Sequence, residues 1–160
     1  MPKTPVALAE VTSSGIAGDS WRYPFHGGPQ KAILLITAEG IEELAQQGFA
    51  VFPGALGENI TTGGLDRRSF RLGQRYRLGE AVMELVQVRF PCDTLSVYGR
   101  GIQAAVFDAC VQAGDGASPL WGLSGFYASV RQTGKIRVGD PIGLVDETQS
   151  QPIFSTLPTT

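Results

Sequence analysis

Val86-Gln87-Val88-Arg89-Phe90-Pro91-Cys92-Asp93-Thr94-Leu95 is the stretch on which the reading of the fold turns. Residues 81–90 have the composition of a long β-strand, and Pro91, which has no N–H, ends its ladder pairing. Cys92 is thereby set where a strand leaves its sheet, a place where functional side chains concentrate. Val82, Glu84, Val86 and Val88 fall on one face, and Met83, Leu85, Gln87 and Arg89 on the other. Both faces are mostly apolar, which predicts a strand covered on both sides, in a barrel or beneath a second layer. Arg89 offers the positive charge that turns a thiol into a thiolate. The competing reading of Cys92 is a small buried hydrophobe.

Working outward, residues 6–11 read as a first short strand and residues 32–37 as a continuous apolar one. Thr37 offers an N-cap for a helix over residues 38–47, with Ile41, Leu44 and Ala45 on one face and Gly48 ending it. Residues 49–52, 60–62, 70–72 and 76–78 read as further short strands separated by glycine and proline turns. Residues 102–113 read as a second helix in which Ile102, Val106, Ala109 and Cys110 share a face, making Cys110 a core residue. Residues 126–131 and 135–138 form a hairpin through Thr133-Gly134, and residues 141–145 close the domain. The expected architecture is mainly β (α+β): a compact β-barrel-like domain over residues 1–145, two helices on its rim, and a loose polar tail over 146–160.

A chain of 160 residues suits one domain with a proper core. A net charge of −2 gives no electrostatic footprint for nucleic acid. No apolar run approaches the roughly 20 residues that span a bilayer. Met1-Pro2-Lys3-Thr4 lacks the apolar centre of a signal peptide, so a cytoplasmic location is expected. In that reducing compartment Cys92 and Cys110 stay unpaired. Two cysteines and one histidine fall short of a closed structural zinc site.

Few groups remain for chemistry. His26, the one histidine, precedes Gly27-Gly28, whose N–H groups are able to converge on an anion; an incidental exposed histidine in a turn is the alternative. Glu58 and Asn59 lie at a loop–strand junction, where Asn also serves simply to cap turns. Arg67, Arg68, Arg71, Arg75 and Arg77 are crowded together; most read as a solvated face, with one or two free to grip a phosphate. No Walker loop, dinucleotide fingerprint or nucleophile elbow is present.

In order along the chain stand Gly18-Asp19, His26-Gly27-Gly28, Pro53-Gly54-x-x-Gly57-Glu58-Asn59-Ile60-Thr61, Arg89-Phe90-Pro91-Cys92, Gly125-Phe126-Tyr127-Ala128 and Gly139-Asp140. Together they resemble the MOSC domain, named for the C-terminal domain of molybdenum-cofactor sulfurases, over about residues 5 to 145. The resemblance implies a β-barrel-like fold and a role in handling a molybdenum-pterin cofactor or sulfur destined for it. It implies Cys92 as molybdenum ligand, with His26 and Asn59 completing the catalytic set on the substrate side. Arg89, Gly27, Gly28, Glu58, Tyr127 and Arg131 are implied at the cofactor, with the Arg67 to Arg77 group assisting at its phosphate. Where the family often carries arginine before a valine, this chain has Ser129-Val130, and Arg131 keeps the strand face two positions on.

Two activities follow from the resemblance. One is a reductase of N-hydroxylated compounds, supplied with electrons by a donor protein. The other is a sulfur carrier or transferase bearing a persulfide on Cys92 and fed by a sulfur-donor protein. The sulfurases carry a separate pyridoxal-phosphate domain, for which this chain has no room. A non-catalytic cofactor- or partner-binding module is the third reading. The expected partners are a small-molecule substrate or cofactor, with no nucleic acid and no membrane.

Overall fold

The computed structural model describes residues 2–19 and 28–145. Its elements are β1 (Leu8–Thr12), β2 (Gly15–Ile16), β3 (Ile33–Thr37), α1 (Ala38–Gln46), β4 (Ile60–Thr62), β5 (Arg75–Leu78), β6 (Ala81–Val88), α2 (Ile102–Val106), α3 (Ala109–Gln112), β7 (Phe126–Gln132), β8 (Gly134–Arg137) and β9 (Ile142–Leu144). A three-stranded sheet of order β2-β1-β8 accompanies a six-stranded sheet of order β4-β3-β7-β6-β5-β9. The fold is mainly β and half-barrel-like, with short helices at its margin.

β3 is buried at all five positions, which is why it reads as an unbroken apolar run. Thr37 then caps α1 by accepting from the Gly40 N–H at 3.0 Å. α1 buries Ile41 and Leu44 and returns the chain to β4, which pairs parallel to β3. One core joins β3, β6 and β7 through Ile33, Leu35, Met83, Leu85 and Ala128. Beside it Phe70, Tyr76, Trp121 and Phe126 pack edge to face at centroid distances of 5.0 to 5.8 Å. A second core under α1 and α2 gathers Ile36, Leu44, Leu56, Leu95, Ile102 and Leu123.

Four expectations are corrected. Residues 49–52 form no strand; the chain is held there by Ala50 N–H donating to the Tyr98 carbonyl. Residues 70–72 form none either, because the 3-10 turn Arg67–Ser69 and a turn at Gly73 leave no ladder partner. β7 and β8 are adjacent in sequence but not a hairpin: β8 crosses to pair with β1 in the smaller sheet. The expected second helix is broken at Phe107, which is extended (φ −154°, ψ 135°), and Asp108 caps a new helix through the Val111 N–H. That break resets the helical phase, so Val111 is buried and Cys110 is exposed. The tail expected over 146–160 lies outside the described residues. Among the described residues no helix is long and apolar enough to cross a membrane.

Candidate functional site

An irregularity in β6 builds the site. Leu85 pairs with Ala128, but Gln87, two residues on, pairs with the adjacent Tyr127, so β6 carries one extra residue there. Such a bulge reverses the facing of everything beyond it and is common beside functional sites. Met83 and Leu85 therefore point into the core, whereas past the bulge Val88 packs on the core and Arg89 turns to the face that carries Tyr127. Uninterrupted alternation would have left Arg89 on the Met83 face. Its backbone is fixed there: the N–H donates to the Gly125 carbonyl at 2.9 Å, and the Ser124 hydroxyl donates to the Arg89 carbonyl at 2.7 Å. Arg89 is only 7% exposed, and its charge acts on the Tyr127 hydroxyl. Its Nη1 has no partner among the described residues.

Cys92 follows Pro91 and leads into the 3-10 turn Asp93–Tyr98, whose Leu95 N–H donates to the Cys92 carbonyl at 3.2 Å. The turn brings Thr94 Oγ1 to 2.6 Å from Cys92 Sγ. Burial alone would push the half-buried thiol up. The Thr94 hydroxyl and N–H, together with the Arg89 charge, outweigh burial and hold it below the ordinary thiol value. Tyr127 moves the other way: burial raises its hydroxyl and a Cys92 thiolate adds to this, against Arg89. It stays protonated at neutral pH. Lys31 Nζ lies 5.3 Å from the centre of the Tyr127 ring.

These groups line one cleft of about 1200 Å³ that extends along both sheets and loop 53–65. Glu58 and Asn59 line it as well, but in structural use. Glu58, 3% exposed, accepts from the Gly54 N–H at 2.5 Å and the Thr61 hydroxyl at 3.2 Å through Oε1, and its Oε2 has no partner among the described residues. Asn59 accepts from the Leu34 N–H at 2.8 Å and donates to Asp19 at 2.6 Å. Both ends of its amide are occupied, so it braces β3 and β4 where a substrate-side role was expected.

The other expected cofactor contacts fare differently. Gly28 (φ +104°) opens the 3-10 turn Pro29–Lys31 that presents Lys31, and is not itself in the cleft lining. Arg131 sits at a second bulge, where its Nη2 meets Glu84 Oε2 at 2.6 Å, outside the cleft. Its charge is already matched there, and Glu84 also holds Arg75 at 3.0 Å. Arg67 grips Glu43 and the Trp121 and Pro119 carbonyls, Arg68 pairs with Asp66, and Arg71 donates to two backbone carbonyls. None of the five crowded arginines lines the cleft. His26 and Gly27 lie outside the described residues. Sequence reasoning missed Lys3, Lys31, Thr94 and Tyr98 in the lining. Only Thr94, two residues after Cys92, carried a readable signal.

The sequence profile of the MOSC domain matches residues 22–143. The chain belongs to the MOSC domain family. It is 32% identical over 123 residues to the uncharacterized protein YflK of Bacillus subtilis strain 168, a match covering 75% of this chain and 50% of that one. Over 93 residues it is 31% identical to protein YiiM of Escherichia coli strain K12, covering 55% of this chain and 42% of that protein. The crystal structure of YiiM from Geobacillus stearothermophilus superposes with a TM-score of 0.67 at 30% identity, covering 91% of this chain and 64% of the other. YiiM from Escherichia coli superposes with a TM-score of 0.66 at 26% identity. This MOSC chain thus spans about half the length of the curated relatives it matches.

Proposed function

We propose that this MOSC chain binds a molybdenum-pterin cofactor through the Cys92 thiolate and, fed electrons by a donor protein, supports reduction of N-hydroxylated compounds to the parent amine or imine and water. The observation that carries the reading is a half-buried thiol, held below its ordinary value by Thr94 and Arg89, beside a buried guanidinium nitrogen without a partner among the described residues, in a cleft large enough for a pterin. The donor set fits. Among the described residues no three His, Cys, Asp or Glu side chains cluster as a chelate, so a metal held here has to bring ligands of its own. A dithiolene-bearing pterin does so, and a single soft thiolate completes the set.

Cys92 would ligate the metal, and as a thiolate it would accept from the Thr94 hydroxyl, 2.6 Å from its sulfur. Arg89, whose Nη1 has no partner among the described residues, and Lys31 would hold the cofactor's phosphate. Tyr127, its proton held on Oη, orients polar atoms of a ligand between them. Glu58 and Asn59 keep the rim in place through Gly54 and Leu34. When bound, the cofactor would supply the two-electron chemistry, and the protein the positioning.

The test is elemental molybdenum and pterin fluorescence on protein from a cofactor-competent host, wild type against Cys92→Ala. Stoichiometric molybdenum that disappears in the variant is expected. No molybdenum in either chain overturns the reading. The partial exposure of the Cys92 thiol favours a second reading, a persulfide carrier, for which mass spectrometry of Cys92 after exposure to a sulfane-sulfur donor is the assay.

A further inference from the structure

Residues 2–6 run along one wall of the Cys92 cleft before β1 begins. Pro2 and Pro5 favour an extended course and offer no N–H to a ladder. Pro2, Thr4, Pro5 and Val6 are exposed, and Lys3 is the one partly buried residue among them. Lys3 fixes the segment twice. Its N–H donates to the Gly54 carbonyl at 2.9 Å, and its ammonium bridges to the Asp19 carboxylate. Gly54 suits this contact for two reasons: its φ is +91°, and a Cβ there would collide with the Lys3 carbonyl.

The latch is tied to the site. Asp19 accepts from Asn59, Asn59 accepts from the Leu34 N–H, and Leu34 lies opposite Tyr127 across β3 and β7. Tyr127 in turn contacts Arg89. On the other side, ladder bonding resumes only where the Ala7 carbonyl accepts from Val138 N–H at 3.1 Å. Among the described residues the segment between is held at Lys3 alone, and its other side chains are exposed, the profile of a part that opens without global unfolding.

We propose that residues 2–6 are a strap that gates entry of bulky ligands to the Cys92 cleft, latched by Lys3 onto Gly54 and Asp19. The proposal rests on that cleft being the ligand site and adds control of access to it. The test reads Cys92 alkylation in a Cys110→Ser background, expressed in a host that makes no pterin cofactor, so the thiol is open whether or not the cofactor reading holds. Iodoacetamide and a maleimide coupled to a bulky fluorophore are compared on the parent, on Lys3→Met and on a chain lacking residues 2–5.

With the ion-pair half of the latch removed in Lys3→Met, the bulky reagent is expected to react about fivefold faster while iodoacetamide changes by less than about twofold. Deletion is expected to extend the same bias. Unchanged bulky-reagent rates in both variants overturn the strap. So does equal acceleration of both reagents, which marks a loosened cleft with no gate.

Discussion

Two arginines are buried among the described residues, and they differ in one respect. Arg67, 6% exposed, has its guanidinium filled by Glu43 and the carbonyls of Trp121 and Pro119. Arg89, 7% exposed, sits near enough to Tyr127 for its charge to act on that hydroxyl, and leaves Nη1 without a partner among the described residues. Burial is nearly the same, yet one guanidinium is consumed by the fold and the other is held in reserve beside a thiol. Desolvating a charged donor without pairing it is costly, so an orphaned one marks a place where a partner arrives from outside. Arg67 belongs to the crowded basic stretch read mostly as a solvated face with one or two arginines free for a phosphate, and it is neither solvated nor free.

Replacing each arginine by methionine breaks the comparison most sharply. Arg67→Met strands two carbonyls and removes an ion pair, and is expected to lower the unfolding free energy by about 3 kcal/mol in urea melts. Cys92 reactivity in the folded protein should be unaltered. Arg89→Met is expected to change stability by less than about 1 kcal/mol, since it removes an incompletely paired buried charge. Its effect falls on the thiol: alkylation of Cys92 at neutral pH should slow about threefold, because the Arg89 charge is one of the groups that hold the thiol below its ordinary value.

Thr94 sharpens the same contrast, since its hydroxyl lowers the thiol at least as much as the Arg89 charge does. Thr94→Val should slow alkylation about threefold, and Thr94→Ser, which keeps the hydroxyl, should restore it. The sign of the pH dependence follows from the lowered Cys92 pKa. The fold favours the thiolate, so the stabilising contribution is full above the unfolded thiol's pKa and is lost as pH falls through the lower folded value. Urea melts should therefore show the advantage of wild type over Cys92→Ala widening as pH rises through that window. The smallest effect belongs to Cys110→Ser, expected within about 0.5 kcal/mol of wild type because the side chain is exposed.

How much of this was legible in the sequence depended on whether a feature was local. The β3–α1 unit could be read because an apolar run, a capping Thr37 and Gly48 (φ +99°) all act within a few residues. Cys92 could be placed because Pro91 ends a strand on chemical grounds. The facing of Arg89 could not, because an extra residue in β6 shows only against its partner β7. Cys110 failed for a related reason: a single extended residue, Phe107, shifts the helical phase, and the periodicity of residues 102–113 hides it. The destination of β8 was a tertiary choice, since β1, more than a hundred residues earlier, competes with β7 for its edge. Lys3 and Lys31 reach the cleft through the fold, and nothing in their neighbours announces it.

The most direct test of the account is the pH dependence of Cys92 alkylation in the Cys110→Ser protein, compared with Arg89→Met in the same background. The account predicts a midpoint below the ordinary thiol range of about 8.5 that moves upward when Arg89 is removed. A midpoint at or above that range, or one indifferent to Arg89, would contradict it.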